Sequence, residues 1–191
     1  PPRSTLFPYT TLFRSGDEVV PVANWWINHF NDGLIIATQD WHPADHMSFA
    51  VNHKDKKPFD MVELDGLPQC LWNVHCVQDT LGADFHPDLL PIPFVFCKGE
   101  DLMVDSYSGF FDNGRKNKTQ LDSFLKEREV KKLIVMGLAT DFCVKFTVLD
   151  ALMLGYNVDV IVEGCRAVNV NPNDGSQALN DMATAGAKII I

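Results

Sequence analysis

Short, continuous apolar runs alternate with longer amphipathic segments along most of this chain. The runs include LIIAT at 34–38, LIVMG at 133–137 and VDVIV at 158–162. Strands that are apolar along their whole length are typical of a parallel sheet covered by helices on both faces. The sequence therefore predicts a single-domain, doubly wound α/β fold, in which functional residues gather at the carboxyl ends of the strands.

The spacing of apolar residues also places the individual elements. It predicts helices over 17–31, 119–129, 142–154 and 174–185, and strands over 34–38, 92–97, 132–137, 158–162 and 188–191. Residues 41–90 are rich in Pro, Gly, Asp and His and show little periodicity. We expect this stretch to be a long functional excursion outside the sheet.

The first fifteen residues, PPRSTLFPYTTLFRS, depart from this pattern. They contain no acidic residue, repeat a TLF triplet and carry prolines that interrupt a strand. They are similar to foreign sequence such as a translated adaptor, so we expect residues 1–15 to be a non-native leader. A native leader without regular structure is the alternative.

Composition limits the classes of partner. The 191 residues carry a net charge of −9, which argues against a surface that gathers nucleic-acid phosphates or anionic lipid. A small neutral or cationic partner fits better, and a homo-oligomer is left open. No apolar run approaches the roughly 20 residues of a membrane-spanning helix, and no signal peptide is recognisable. The five cysteines include no Cys-x-x-Cys pair, so we expect reduced thiols in a cytoplasmic protein.

One cysteine follows a predicted strand directly. The strand that ends at Gly137 leads through a short connection to Cys143, in the first turn of the next predicted helix. Free backbone amides there favour a thiolate and can hold an oxyanion, so Cys143 is a candidate nucleophile with a lowered pKa. Lys98, which ends another strand, would lower that pKa further. The ordinary alternatives are a packed cysteine and a solvated lysine.

A second candidate site is a metal centre. Asp40 and His42 lie two residues apart where a strand ends, so their side chains point to the same side of an extended backbone. His75 follows in the excursion, and one carboxylate with two imidazoles suits zinc, iron or manganese. His46 is either a further ligand or a neighbour that orients one. Any single histidine is more often an ordinary polar residue, as we expect for His29 and His53.

Four long motifs carry a resemblance to a known family. DWHPADHMSFA (40–50), WNVHCVQDTLGADFHP (72–87), KGEDLMVDSYSGFFDNG (98–114) and MGLATDFCVKFTVLDALMLGYNVDVI (136–161) resemble the bacterial nicotinamidases, or pyrazinamidases, of the isochorismatase superfamily. The resemblance runs from about residue 16 to the C-terminus. It implies hydrolysis of nicotinamide to nicotinate and ammonia in NAD salvage, and a sheet ordered 3-2-1-4-5-6.

The resemblance also implies residue roles. Cys143 would be the nucleophile and Lys98 a member of an Asp-Lys-Cys triad. The amides of Ala139 and Cys143 would form the oxyanion hole, with a cis peptide at Leu138–Ala139. A divalent metal, zinc first and iron or manganese as alternatives, would be held by the ligand set Asp40, His42 and His75, with His46 a ligand in some members. Trp72 and Tyr107 would enclose the substrate ring.

The triad aspartate has no counterpart in this sequence. The family carries it after the first strand, in a V-D-x-Q-x-D-F segment whose place is taken here by residues 1–15. We therefore expect 16–191 to be a hydrolase domain shortened at both ends, with impaired activity. The alternatives are a related hydrolase of another small amide or of a vinyl ether such as isochorismate, and a catalytically dead protein that binds metal and nicotinamide. A purely structural interaction module explains fewer of the polar residues at strand ends.

Overall fold

The computed structural model describes residues 15–30 and 33–191. Apart from Ser15, the expected leader therefore lies outside the described residues. These residues form seven strands and four α-helices, in the order α1 (Val19–His29), β1 (Ile36–Asp40), β2 (Met61–Leu64), β3 (Leu67–Cys70), β4 (Phe94–Lys98), α2 (Leu121–Glu127), β5 (Lys132–Leu138), α3 (Lys145–Met153), β6 (Asn157–Arg166), α4 (Asp174–Thr184) and β7 (Lys188–Ile190).

Parallel pairing organises the fold into two sheets. β1 pairs with β4 in parallel, and β5, β6 and β7 form a three-stranded parallel sheet in that order. This confirms the prediction of a parallel α/β fold. The pairs agree with the 3-2 and 4-5-6 parts of the expected order. Within the described ranges, however, no strand lies between β1 and β5, so the continuous six-stranded sheet is not present there.

Element boundaries shift in several places. The strand expected at 34–38 begins at Ile36 and ends at Asp40, and β6 continues to Arg166. The helix expected from residue 142 begins instead with a wider π-helical turn, Thr140–Val144, before α3. The excursion contains an antiparallel hairpin, β2–β3, that the sequence analysis missed. The turn of this hairpin, Asp65-Gly66, has positive φ at both residues.

The main core lies between the three-stranded sheet and its helices. Val148 of α3, Val160 of β6 and Met182 of α4 are completely buried and belong to one apolar cluster. Each such side chain contributes about 1.5–3 kcal/mol through its burial. Because β6 is covered on both faces, this half of the fold is a stable support for β5 and the turn that follows it. No described helix has the length and apolar character needed to span a bilayer.

Candidate active site

The candidate residues meet at one large cavity. Asp40 and Lys98 are register partners at the carboxyl ends of β1 and β4. β5 ends at Leu138, and the turn after it carries Cys143. The peptide bond Leu138–Ala139 is cis, as expected. All three strand ends open onto a cavity of about 840 Å³, which is also lined by His42, His75, Trp72 and Tyr107.

Lys98 and Cys143 lie at one end of this cavity, which we call the thiol end. The lysine is buried, and its Nζ donates hydrogen bonds to the Ser106 carbonyl oxygen at 2.7 Å and to Cys143 Sγ at 3.3 Å. The same Nζ forms an ion pair with Asp40 Oδ1. An ammonium group has three donors, so all three are engaged.

Asp40 and Lys98 each stabilise the charged form of the other. Burial opposes ionisation of Asp40, but the positive charge of Lys98, with His42 and His75, outweighs it and lowers the pKa of Asp40 to about 2. Burial also opposes the charge on Lys98, yet Asp40 and Cys143 raise the pKa of Lys98 above its usual value. The thiol end therefore holds a permanent cation beside the cysteine.

The thiol itself does not have the lowered pKa that the sequence predicted. Burial raises the pKa of Cys143 to about 11, because loss of water disfavours the thiolate more than Lys98 favours it. Asp40 and Asp105 add negative charge that works in the same direction as burial. Cys143 is thus mainly protonated near neutral pH, and its proton must be removed before attack.

Backbone hydrogen bonds fix the turn that carries the thiol. The Ala139 carbonyl oxygen accepts from the amides of Phe142 at 3.1 Å and Val144 at 3.0 Å. The carboxylate of Asp141 accepts from the amides of Val168 and Asn169, which ties the turn to the chain after β6. Ala139 and Cys143, expected to supply the oxyanion hole, both line the cavity.

The histidine cluster, defined as His42, His46 and His75, forms the other end of the cavity. The ring centroids of His42 lie 4.6 Å from His46 and 5.0 Å from His75. Two ligand groups converge here. The ligand atoms of Asp40, His75 and Cys76 lie within 4.8 Å of one another, as do those of His42, His46 and Asp105.

Hydrogen bonds distinguish the three rings. His42 Nδ1 lies 2.8 Å from the Gly99 carbonyl oxygen and His75 Nδ1 lies 2.8 Å from the Asn73 carbonyl oxygen. A carbonyl only accepts, so these Nδ1 atoms carry the proton and each Nε2 offers a lone pair. His46 Nδ1 instead accepts from the Ser48 amide at 3.1 Å. Neutral His46 therefore carries its proton on Nε2.

Two rings of the cluster, His46 and His75, are held in the neutral form, which is the form that binds a metal. Burial lowers the pKa of His46 to about 4 and also lowers the pKa of His75, and the neighbouring imidazoles add to both effects. His46 Nε2 is buried without a hydrogen-bond partner among the described residues. The structure divides the predicted ligand set between the two ligand groups: Asp40 and His75 lie with Cys76, whereas His42 lies with His46 and Asp105. Carboxylates and neutral imidazoles are nevertheless ligands that suit a divalent transition metal.

Aromatic rings wall the cavity between its two ends. Trp72 is buried, and its ring centroid lies 6.3 Å from Tyr107 and 4.7 Å from Phe142. Tyr107 and Phe142 are 5.3 Å apart. Trp72 and Tyr107 were predicted from the sequence and Phe142 was not, although its place immediately before Cys143 is a usable signal. Flat rings meeting at steep angles form a narrow apolar wall suited to a planar ligand.

Two further polar residues were missed by the sequence analysis. Asp105 is buried, lines the cavity and accepts a hydrogen bond from Gln69 Nε2 at 3.1 Å. Ser106 supplies the carbonyl that holds Lys98. Both lie in the VDSYS stretch of the third motif, so the signal was in the sequence. His29 and His53 lie outside the site, where they contact the backbone oxygens of Trp25 and Met47.

Comparison with known proteins gives one consistent result. The family described as Isochorismatase domain matches residues 12–190. The chain is 54% identical to the nicotinamidase of Escherichia coli (strain K12), over 91% of this chain and 83% of that protein. A structure of an Acinetobacter baumanii nicotinamidase and pyrazinamidase has 39% identity and a TM-score of 0.89, covering 93% and 86% of the two chains. The pyrazinamidase of Pyrococcus horikoshii, solved with zinc, has 33% identity and a TM-score of 0.74, covering 93% and 87%.

Proposed function

Because the chain belongs to the isochorismatase family, we propose that it is a nicotinamidase-type amidohydrolase. Its reaction would convert nicotinamide to nicotinate and ammonia, a step of NAD salvage, and pyrazinamide would react in the same way. One observation carries this proposal. A thiol lies 3.3 Å from a buried lysine, in a single cavity that is also lined by His42, His75 and an aromatic wall.

The substrate ring would lie against Trp72 and Tyr107, with Phe142 beside them. These rings bury an apolar, planar ligand without offering a charge that would compete for its amide. A ring held there lies between the histidine cluster and Cys143. The carboxamide would then face the thiol end of the cavity.

Asp40, His42 and His75 would hold the metal, with zinc expected first and iron or manganese as alternatives. When bound, such an ion supplies a Lewis-acid contact that orients the pyridine nitrogen. His46 would act as a neighbour rather than a ligand, because its neutral Nε2 carries a proton. The Ser48 amide donates a hydrogen bond to Nδ1 of His46, which leaves the proton of the neutral ring on Nε2, where it has no partner among the described residues.

The sulfur of Cys143 would attack the carboxamide carbon, the thiol proton would be transferred to the amide nitrogen, and the C–N bond would break to release ammonia. The amides of Ala139 and Cys143 would hold the developing oxyanion, while Lys98 offsets its charge. Water would then cleave the thioester to release nicotinate. Each of these groups belongs to the described cavity.

Proton transfer is the weak step of this mechanism. The thiol pKa is raised to about 11, and Lys98 is a cation that cannot accept a proton. Asp40 is the carboxylate paired with Lys98, but ligation of a metal would compete for the same group. We therefore propose that turnover is about 10²- to 10⁴-fold slower than in a related enzyme with an effective proton acceptor, because this factor is the usual contribution of general acid–base catalysis.

The setting we propose is the cytoplasm, with a small molecule as the partner and no nucleic acid or membrane. All five cysteines are free thiols, which supports a reducing compartment. The net charge of −9 supports the absence of nucleic-acid binding.

The experiment is product analysis with the zinc-loaded protein. Nicotinamide is incubated with the chain, with Cys143→Ala and with Cys97→Ala, a thiol of β4 outside the cavity. Chromatography should detect nicotinate from the chain and from Cys97→Ala, but not from Cys143→Ala. Nicotinate formation that survives Cys143→Ala would contradict the nucleophile. Nicotinamide binding without any nicotinate would identify a binding protein instead of an enzyme.

A further inference from the structure

Asp141 lies in the turn that carries the nucleophile, residues 139–144, which we call the nucleophile turn. Its side chain is buried, and it stands two residues before Cys143. Ala139 and Cys143 line the active-site cavity, whereas Asp141 does not. Its carboxylate bonds instead to residues 167–173, the segment between β6 and α4, which we call the β6–α4 loop. Any effect of Asp141 on the reaction must therefore act through the turn.

The Asp141 carboxylate takes the place of a strand partner for the β6–α4 loop. Backbone pairing between β5 and β6 ends with Leu138 opposite Arg166. Just beyond it, Asp141 Oδ1 accepts a hydrogen bond from the Val168 amide at 2.9 Å, and Oδ2 accepts one from the Asn169 amide at 2.8 Å. Hydrogen bonds to a carboxylate are roughly twice as strong as those between neutral groups. The nucleophile turn is thus held to the loop at two points.

The β6–α4 loop is itself fixed to the core. The side-chain oxygen of Asn169 accepts a hydrogen bond at 2.8 Å from the amide of Gly175, in the first turn of α4. The ion pair between Lys145 and Asp181 joins α4 to α3, and Met182 of α4 is completely buried. A continuous series of contacts therefore runs from the core through the loop to the nucleophile turn.

The nucleophile turn has to hold both a sulfur atom and backbone amides in place. Cys143 Sγ lies 3.3 Å from Lys98 Nζ, and the proposed oxyanion donors are the amides of Ala139 and Cys143. Such a donor contributes only while it points at the oxygen of the tetrahedral adduct at hydrogen-bond distance. The hydrogen bonds that end on the Ala139 carbonyl join neighbours within the turn. The two bonds of Asp141 connect the turn to the rest of the fold.

We propose that Asp141 is a positioning residue, which keeps the Cys143 sulfur and the two oxyanion amides in the geometry of the tetrahedral adduct by bonding the nucleophile turn to the β6–α4 loop. This role rests on the proposed amidase function. The substrate ring and the metal are held by other residues, so a change at Asp141 should weaken the adduct and spare the binding of ring and metal. A residue that only stabilised the fold would affect all of them together.

An aldehyde probe measures the adduct without turnover. In pyridine-3-carbaldehyde, an aldehyde replaces the amide of nicotinamide. The Cys143 sulfur adds to its carbonyl carbon, the carbon–oxygen π bond opens, and the thiol proton passes to that oxygen, which occupies the place of the oxyanion. Calorimetry with the zinc-loaded full chain gives the dissociation constant.

Asp141→Asn keeps the size of the side chain but turns an N–H group towards a backbone N–H, so one of the two bonds is lost. This variant should bind the aldehyde at least about tenfold more weakly, short of the roughly 10²- to 10³-fold effect of removing an oxyanion donor outright. In a Cys143→Ala background the aldehyde binds through its ring alone, so Asp141→Asn should then change the dissociation constant by less than about twofold. Affinities for nicotinamide and zinc should also change by less than about twofold.

Two further variants complete the design. Asp150→Asn is the matched control, because Asp150 is a buried carboxylate of α3 that pairs with Arg115 outside the cavity. It should bind the aldehyde as the unaltered chain does. Asn169→Gly removes the bond to Gly175 and suits the φ of 53° at this position. It should weaken aldehyde binding less than Asp141→Asn does, and only when the thiol is present, so it decides the question if Asp141→Asn does not fold.

Unchanged aldehyde affinity in Asp141→Asn would overturn the proposal, and so would equal losses with and without the Cys143 thiol, which would assign Asp141 to folding alone. An unaltered chain that binds the aldehyde no better than Cys143→Ala would contradict the proposed nucleophile instead. Hydrogen exchange then decides the positioning role. The amides of Phe142 and Val144 should exchange faster in Asp141→Asn than in Asp150→Asn, and equal exchange in the two variants would overturn it.

Discussion

The two ends of the active-site cavity differ in how well their polar groups are prepared for their roles. In the histidine cluster, a backbone carbonyl orients Nδ1 of both His42 and His75, so the Nε2 atom of each ring is directed away from that carbonyl and is available to a ligand. At the thiol end, burial keeps Cys143 protonated near neutral pH, and the carboxylate that reaches Lys98 is Asp40, which we also propose as a metal ligand. Substrate binding and catalytic turnover therefore depend on different groups and can be lost separately. Recognition of nicotinamide should be intact where proton transfer is weak.

Removing a proposed metal ligand should have the largest effect. His75→Ala deletes the Nε2 lone pair of a ring that the Asn73 carbonyl orients, so zinc affinity should fall by more than about 100-fold. His46→Ala should change zinc affinity by less than about tenfold, because the neutral ring presents an N–H rather than a lone pair. Competition titration with a chromophoric chelator measures both. Equal losses in the two variants would show that His46 is a ligand after all.

Acid should destabilise the metal-free protein through His46. Its pKa is about 4 when folded and 6.5 in the unfolded chain, so folding is favoured by the neutral ring. The contribution is fully present above pH 6.5 and is lost as the pH falls towards 4, which amounts to about 3 kcal/mol. Urea unfolding across this range, with chelator present, measures it. His46→Gln should flatten the profile between these values, whereas exposed His29→Gln should leave it unchanged.

The orientation of His42 should depend on the glycine that follows Lys98. A Cβ on Gly99 would lie 2.5 Å from the His42 ring, at a φ of +70°. Gly99→Ala should therefore displace the ring and weaken zinc binding by about 10- to 100-fold, the usual effect of disturbing a partner behind a ligand. Gly66→Ala is the control, because it has the same backbone strain at φ +79° with open space around it. A zinc affinity that is equally low in both variants would assign the effect to backbone strain alone.

Lys98 should have a smaller but specific effect on thiol chemistry. It lowers the pKa of Cys143 against the larger effect of burial. Lys98→Met should raise that pKa further and slow alkylation of Cys143 by iodoacetamide about tenfold at pH 8 for each pKa unit gained. Mass spectrometry of the modified peptide gives the rate. Lys145→Met, whose lysine pairs with Asp181, is the control and should react like the unaltered chain.

The sequence predicted the parallel strands because their runs are apolar on both faces, and this pattern has few other interpretations. It did not predict β2–β3, whose strands MVEL and LPQC are short and partly polar, although Asp65-Gly66 is a recognised hairpin turn. Candidate residues at strand ends were found because the fold brings those ends together. The prediction that the pKa of Cys143 is lowered was wrong, because burial raises this pKa and the extent of burial depends on the whole fold. The protonated nitrogen of His46 depends on one backbone amide, Ser48, which no sequence pattern reveals.

The most direct measurement compares binding and turnover of nicotinamide on one zinc-loaded sample. Calorimetry gives the dissociation constant, and ammonia release gives the rate, with the Escherichia coli relative assayed in parallel. We expect similar affinities for the two proteins and a turnover in this chain that is lower by about 10²- to 10⁴-fold. Turnover equal to that of the relative would contradict the account, because it would mean that the thiol end already has an effective proton acceptor.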